Sequence, residues 1–246
     1  MALHRAALGF DTTAPAYERA RPGYPPAAVA DLGIGPGMSV VDLAAGTGKL
    51  TRLLVPTGAR IVAVEPLAGM RAELDRALPG LEILEGTAEA IPLPDRSADA
   101  VVVGQAFHWF DGERALPEIA RVLRPGALLA MLWNVRDRTV DWVERLAEIT
   151  EPHAQAGKVP RYRTGAWKEA FAGTDRFSAL ESRQYPFEHE VDAATMVDRI
   201  RSISWISVLP EPERTDVLER VGRLFDGMPP RFPVPYHTDV WWCRAR

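Results

Sequence analysis

The feature that most constrains this chain is an alternation, between residues 38 and 124, of short β-branched runs with segments of helical length. Ser39-Val40-Val41, Ile61-Val62-Ala63-Val64 and Ala100-Val101-Val102-Val103 are continuously apolar rather than alternating, the pattern of strands buried on both faces. Between and after them stand Lys49 to Val55, Leu67 to Leu78 and Glu113 to Leu123. Strand, helix, strand at this spacing predicts a parallel sheet with right-handed crossovers. Further strands are predicted over Leu81 to Leu84 and, after the turn Arg124-Pro125-Gly126, over Ala127 to Trp133.

The second half is less regular. An amphipathic helix is predicted from Thr139 to about Ala154, a loop with Gly157 and Pro160 follows, and Ser182 to His189 reads as a sixth strand. Ala193 to Ile206 and Pro212 to Phe225 read as helices, and the Pro-rich stretch Met228 to Pro235 is expected to break the chain before a last strand, Thr238 to Cys243. Trp241 and Trp242 then fall on opposite faces, one in the core and one against a helix.

Composition narrows the function classes. With 246 residues and 47% hydrophobic content the chain can bury a sizeable core, and a net charge of -4 argues against a polyanionic partner. The basic pairs Arg136/Arg138 and Arg161/Arg163 are interrupted by acidic or aromatic residues, so nucleic-acid binding is not expected. The single Cys243 forms no intrachain disulfide, the five scattered histidines show no zinc spacing, and a metal-free protein of a reducing, cytoplasmic compartment is the expectation. No secretory signal is read at Met1 to Phe10, and no run of about 18 apolar residues spans a membrane.

The informative turn is Asp42-Leu43-Ala44-Ala45-Gly46-Thr47-Gly48-Lys49-Leu50-Thr51, between a buried strand and a helix. Gly46 and Gly48 permit positive φ and close backbone approach, so N–H groups at a helix start are offered to a ligand. A phosphate-cradling loop needs Ser or Thr after Lys49 and a Gly at position 43, which here are Leu50 and Leu43. A dinucleotide fingerprint needs a third Gly where Thr51 stands, which weakens a nicotinamide-dependent oxidoreductase without removing it. At the end of the second strand Glu65 stands close to the roughly 20-residue spacing expected of a carboxylate that accepts from a ribose diol.

The order Asp42-x-Ala44-x-Gly46-x-Gly48 followed by Glu65 resembles the first motifs of class I S-adenosylmethionine (SAM) dependent methyltransferases. Ala44 replaces the usual first glycine, which a negative φ there would accommodate. Glu85-Gly86-Thr87-Ala88-Glu89 resembles the family's loop beside the adenine, with Thr87 where an Asp is common. The stretch from Asp99 to Phe110 and the N-terminal stretch from Tyr17 to Pro25 are similar to the subgroup that includes trans-aconitate methyltransferases.

The resemblance spans about residues 10 to 133. It implies an α/β fold, a Rossmann-like, seven-stranded, mostly parallel sheet with helices on both faces and a helical cap. On this reading 1–246 is one domain, with its core at about 24–133 and cap elements in 1–23, 134–178 and 193–230. The cofactor implied is SAM, held by Tyr17, Arg21, Asp42, Ala44, Gly46, Gly48, Glu65, Pro66, Met70, Thr87, Ala88, Glu89 and Gln105. In that set Arg21 would pair with the methionine carboxylate, since a guanidinium fork matches a carboxylate; a surface ion pair is the plainer alternative. His108 is the one histidine placed to act as a base or to touch substrate, although its aromatic neighbours also fit a packed histidine. Trp133, Tyr162, Trp167 and Trp205 are candidate walls of an acceptor pocket, with core packing as the competing account. The acceptor is expected to be a small molecule methylated on a carboxylate or hydroxyl oxygen, and the protein a monomer or homodimer. A non-catalytic SAM-binding module is a third alternative.

Overall fold

The computed structural model describes Glu18, residues 21–156 and residues 160–246. Its strands are β1 (Ser39–Leu43), β2 (Arg60–Val64), β3 (Glu82–Leu84), β4 (Ala98–Gly104), β5 (Leu123–Arg136), β6 (Glu181–Val191) and β7 (Phe232–Arg244). They form one sheet in the order β3-β2-β1-β4-β5-β7-β6. β1 to β5 pair in parallel, as the buried β-branched runs require. β7 returns antiparallel to β5: Gly126 donates to Ala245 and Ala245 to Ala127 at one end, and Asp137 donates to Pro235 at the other. The sheet is therefore mixed, with its strand order reversing between β1 and β4.

The helices are α1 (Pro26–Ala30), α2 (Thr51–Leu54), α3 (Ala68–Ala77), α4 (Gly112–Val122), α5 (Asp141–Thr150), α6 (Pro152–Ala156), α7 (Glu169–Ala172), α8 (Ala193–Arg201), α9 (Ser204–Ser207) and α10 (Glu211–Leu224). Three departures from the sequence reading have physical causes. The helix expected over Thr139 to Ala154 is divided before Pro152, which has no N–H to continue it. The turn expected at 124–126 is a bulge inside β5: Ala98 pairs with Leu123 and Ala100 with Leu128, so four residues bow out against Asp99, with Gly126 at φ +79°. The Pro-rich stretch does not break the chain before β7. Pro233 is exposed while its neighbours Phe232 and Val234 are buried, and the Pro235 carbonyl still accepts from Asp137; an extended proline loses a donor but keeps its acceptor.

The chain divides into two compact units. One comprises residues 23–134, 161–185 and 238–246. Its core places Val40, Ala100, Val102, Leu128, Ala130 and Leu132 of the sheet against Leu50, Leu54, Ala28 and Val29. The intervening Val41, Val101, Val103, Leu129 and Met131 are equally buried, so both sheet faces are sealed. The other unit contains residues 135–156 and 186–237 with Glu18, Arg21, Pro22 and Pro160. There Leu146, Met196, Ile200, Val217 and Val221 of α5, α8 and α10 pack with Phe225, Phe232 and Tyr236. Asp192 starts α8 by accepting from the Thr195 N–H at 2.7 Å, a side-chain cap. Residues 161–178, expected in the cap, belong to the first unit, because their aromatic side chains pack there.

Candidate active site

Ligands of open α/β sheets bind outside the carboxyl ends of the strands, where the strand order reverses. Here that point lies between β1 and β4, and the turn after β1 is Ala44–Gly48. Ala44, Gly46 and Gly48 have φ of +59°, +58° and +85°. The negative φ that would accommodate Ala44 is not adopted: its N–H and that of Ala45 both donate to the Val64 carbonyl, at 2.8 and 3.3 Å, which bends the chain into the left-handed region. A side chain at Gly48 would place its Cβ 2.3 Å from Leu74 Cδ1, whereas at Gly46 it would meet nothing within 4 Å. The turn is closed beneath Gly48 and open above Gly46.

Two carboxylates hold this turn. Asp42, fully buried in β1, accepts from the Thr51 hydroxyl at 2.6 Å through Oδ2 while Oδ1 has no partner. Burial pushes its pKa up to about 7, opposed by the Thr51 bond and aided by the charge of Glu65. Asp42 thus fastens β1 to the start of α2, and the Thr51 that spoils a dinucleotide fingerprint is its partner. Glu65, buried just past β2, accepts from Gly46 N–H through Oε2 and from Leu67 N–H through Oε1, both at 2.9 Å. Arg71, which the sequence did not single out, donates to the carbonyls of Glu65 and Pro66 at 2.9 and 2.7 Å and to the Glu85 carboxylate at 2.6 Å. Nothing in its place on α3 distinguishes it from any other surface arginine.

Around this turn, Met70 is buried in α3 and Ala88 is buried in the loop after β3. Thr87 bridges to Ala90. The Glu89 carboxylate accepts from Asp111 N–H at 3.0 Å, at the start of α4 where a negative charge suits the helix end.

The second turn at this edge follows β4. Gln105 has φ +58°, its N–H donates to the Leu132 carbonyl at 2.8 Å and its side chain reaches the Asn134 carbonyl at 3.4 Å. A short 3-10 turn, Phe107–Trp109, then carries His108. Its Nδ1 accepts from the Trp133 indole N–H at 3.1 Å, and burial lowers its pKa to about 4. Trp133 stacks on Tyr162 at 4.4 Å between centroids and lies 4.7 Å from Trp167. The Tyr162 hydroxyl donates to Asp239 Oδ2 at 2.6 Å and accepts from Trp241 at 2.9 Å, while Gln184 donates to Asp239 Oδ1 at 2.8 Å. Asp239 was not foreseen, since it lies 77 residues from Tyr162 and follows no motif.

Of the expected wall, Trp133, Tyr162 and Trp167 come together. Trp205 belongs to the other unit, where it donates to the Thr150 carbonyl at 3.1 Å. Trp242 packs on the core while Trp241 meets the edge of Trp167, with Lys168 Nζ 3.7 Å over its ring. Tyr17 lies outside the described residues. Arg21 belongs to the other unit and donates to the Ser202 carbonyl at the end of α8, at 3.4 Å. Among the described residues no cluster of three metal-binding side chains occurs, and no helix is long and apolar enough to cross a membrane.

A parallel sheet that reverses at β1/β4, a glycine turn at that point and an acid closing the next strand define an α/β enzyme with the cofactor-binding architecture of class I methyltransferases. Residues 41–131 match the family model described as a methyltransferase domain. An uncharacterized methyltransferase of Mycobacterium tuberculosis is 42% identical over 217 residues, covering 88% of this chain and 85% of that protein. A malonyl-[acyl-carrier protein] O-methyltransferase of Methylococcus capsulatus is 39% identical over 132 residues, 51% of this chain and 47% of that one. Among solved structures, the chain named "Putative Type II Methyltransferase" from Anaeromyxobacter dehalogenans superposes with a TM-score of 0.67 at 22% identity, over 92% of this chain and 97% of that one, and so shares the fold. The chain belongs to the methyltransferase domain family, an enzyme of the class I, SAM-dependent kind. The oxidoreductase alternative is thereby set aside.

Proposed function

We propose that this enzyme transfers the methyl group of SAM to an oxygen atom of a small molecule, binding the cofactor across the turn Ala44–Gly48. The observation that carries the reading is the Glu65 carboxylate, fixed by Gly46 and Leu67 at the strand-order reversal beside a turn open above Gly46. An ionised carboxylate accepts through about four lone-pair sites, and on this reading Glu65 takes the ribose hydroxyls as well as holding the turn. Ala88 and Gln105 edge the same mouth, and Pro66 and Met70 supply apolar surface at its side. Asp42 acts through Thr51, as a positioning residue for the turn. When bound, SAM supplies a methyl activated by a sulfonium, and an incoming lone pair displaces it while sulfur keeps the bonding pair as a neutral thioether.

The protein's part is to align the acceptor and exclude water. His108 is no base as placed, because its one lone pair is engaged by Trp133. An acceptor that arrives as an oxygen anion needs none. Oxygen as the methylated atom is supported by the relative named for O-methyl transfer and by the likeness of Asp99–Phe110 to trans-aconitate methyltransferases. The acidic balance supports a small molecule over nucleic acid. A single cysteine, Cys243, which can form no intrachain disulfide, fits a reducing, cytoplasmic setting.

Calorimetric titration with SAM and with its demethylated product tests the reading. Micromolar binding is expected, followed by labelled-methyl transfer to members of a panel of carboxylic acids and phenols. Folded protein that binds neither cofactor form overturns it.

A further inference from the structure

His108 leaves the sheet beside the glycine turn. Asp42 pairs with Val102, so Ala44 and Gly104 stand at the same level of β1 and β4, and His108 follows four residues after Gly104. Resting on the methyltransferase reading of this edge, we propose that Trp133 is a positioning residue that holds His108 as a fixed hydrogen-bond donor toward the methyl acceptor, with Tyr162 and Asp239 fixing Trp133 in turn.

The argument is one of donors and acceptors. An indole N–H only donates, so its contact with Nδ1 at 3.1 Å places the lone pair of the neutral imidazole there and its proton on Nε2. Nε2 has no hydrogen-bond partner among the described residues. The groups facing the ring are Trp109 and Trp133, at 5.2 and 6.4 Å between centroids, and burial is the one cause displacing its titration, with no charged side chain acting on it. The imidazole therefore stays neutral and keeps a single tautomer through the neutral range. Behind it, the Tyr162 hydroxyl is committed on both sides, donating to Asp239 and accepting from Trp241. Burial and the Asp239 contact raise its pKa above the usual phenol range, so it remains a donor. A phenol ring fixed in this way sets the plane of the indole stacked on it, at 20° between ring planes. The resulting Nε2–H selects an acceptor whose facing atom carries a lone pair, a carbonyl or anionic oxygen, and rejects an ammonium there.

Histidine-labelled 15N–1H correlation spectra of the full chain read the tautomer directly. In the wild type His108 is expected as the Nε2–H form, unprotonated from pH 8 to pH 5. An Nδ1–H form, or titration near 6.5, overturns the proposal. Tyr162→Phe keeps the stacked ring and removes both hydroxyl bonds; it is expected to raise the Nδ1–H population at least about tenfold, as is Trp133→Phe, which removes the donor itself. Unchanged tautomer populations in folded Tyr162→Phe remove Tyr162 and Asp239 from the arrangement. For an acceptor found in the labelled-methyl panel, kcat/KM is expected to show no limb that depends on His108 between pH 5.5 and 8.5, and a limb near 6.5 that vanishes in His108→Gln restores a base and overturns the donor. SAM titration separates the two readings: wild type that shows the Nε2–H form but binds no SAM loses the methyltransferase site and keeps the indole–imidazole arrangement.

Discussion

The turns after β1 and after β4 end neighbouring strands and both enter the left-handed region, yet they are held by different materials. The first is backbone held by carboxylates: Glu65 accepts from Gly46, and Asp42 fixes Thr51. The second is held by rings: His108 is fixed by Trp133, and Trp133 stacks on Tyr162. A site made of backbone needs small residues at set positions, because only they allow the φ values and the approach. A site made of side chains accepts any element that brings the right ring to the right place. The first arrangement suits a ligand shared by a whole family, the second a ligand particular to one member.

Five substitutions would break or sharpen that contrast. The largest effect is expected from Gly48→Ala, which adds a left-handed penalty to a clash with the buried Leu74. A loss of about 2–5 kcal/mol in urea unfolding is expected, and a neutral outcome would mean that the turn is not closed from beneath. Asp42→Asn follows. The raised pKa of Asp42 means that the folded state keeps a proton which the unfolded chain releases between about pH 4 and 7. Stability from this group therefore falls as pH rises through that window, by up to roughly 4 kcal/mol. In thermal unfolding the variant is expected to lose that slope while gaining stability at pH 8, and a slope unchanged by the substitution would assign it to other groups.

Glu65→Gln tests the carboxylate as a ligand. The amide keeps one acceptor but loses the charge, so SAM affinity is expected to drop about ten- to hundredfold by calorimetry; equal affinity would remove Glu65 from the cofactor site. The smallest effects belong to Ala44→Gly and Gln105→Gly, one in each turn. Relief of the left-handed cost is offset by the freer unfolded chain, leaving a change of about 0 to 1 kcal/mol toward stability. A loss larger than about 1 kcal/mol in either would show that the side chain itself holds the turn.

Much of the first turn was legible before any coordinates. β-branched runs marked β1, β2 and β4, the glycines marked the turn, and Glu65 fell at the expected distance, because each reports a local backbone requirement. The φ of Ala44 was not legible, since nothing in the sequence reveals that Val64 offers its carbonyl to two successive N–H groups. The second turn was legible only as a place. His108 was named, but its tautomer depends on Trp133, 25 residues away, and the clamp behind it on Asp239. The same limit explains why the bond of Glu89 to the start of α4 and the place of 161–178 in the first unit were not legible. Contacts across β7 leave no periodicity to read.

Those sequence separations also set an order of events on the ribosome. The contact between Gly46 and Glu65 closes a span of 19 residues, and the pairing of β1 with β4 is complete within the first 104. The clamp on Tyr162 waits for Asp239, 77 residues downstream, and for the last turns of β7 to be threaded beside β5. A nascent chain therefore owns the parts of its glycine turn well before it owns the aromatic wall of Trp133 and Tyr162. On the proposed reading, translation delivers the general half of the enzyme first and the discriminating half last.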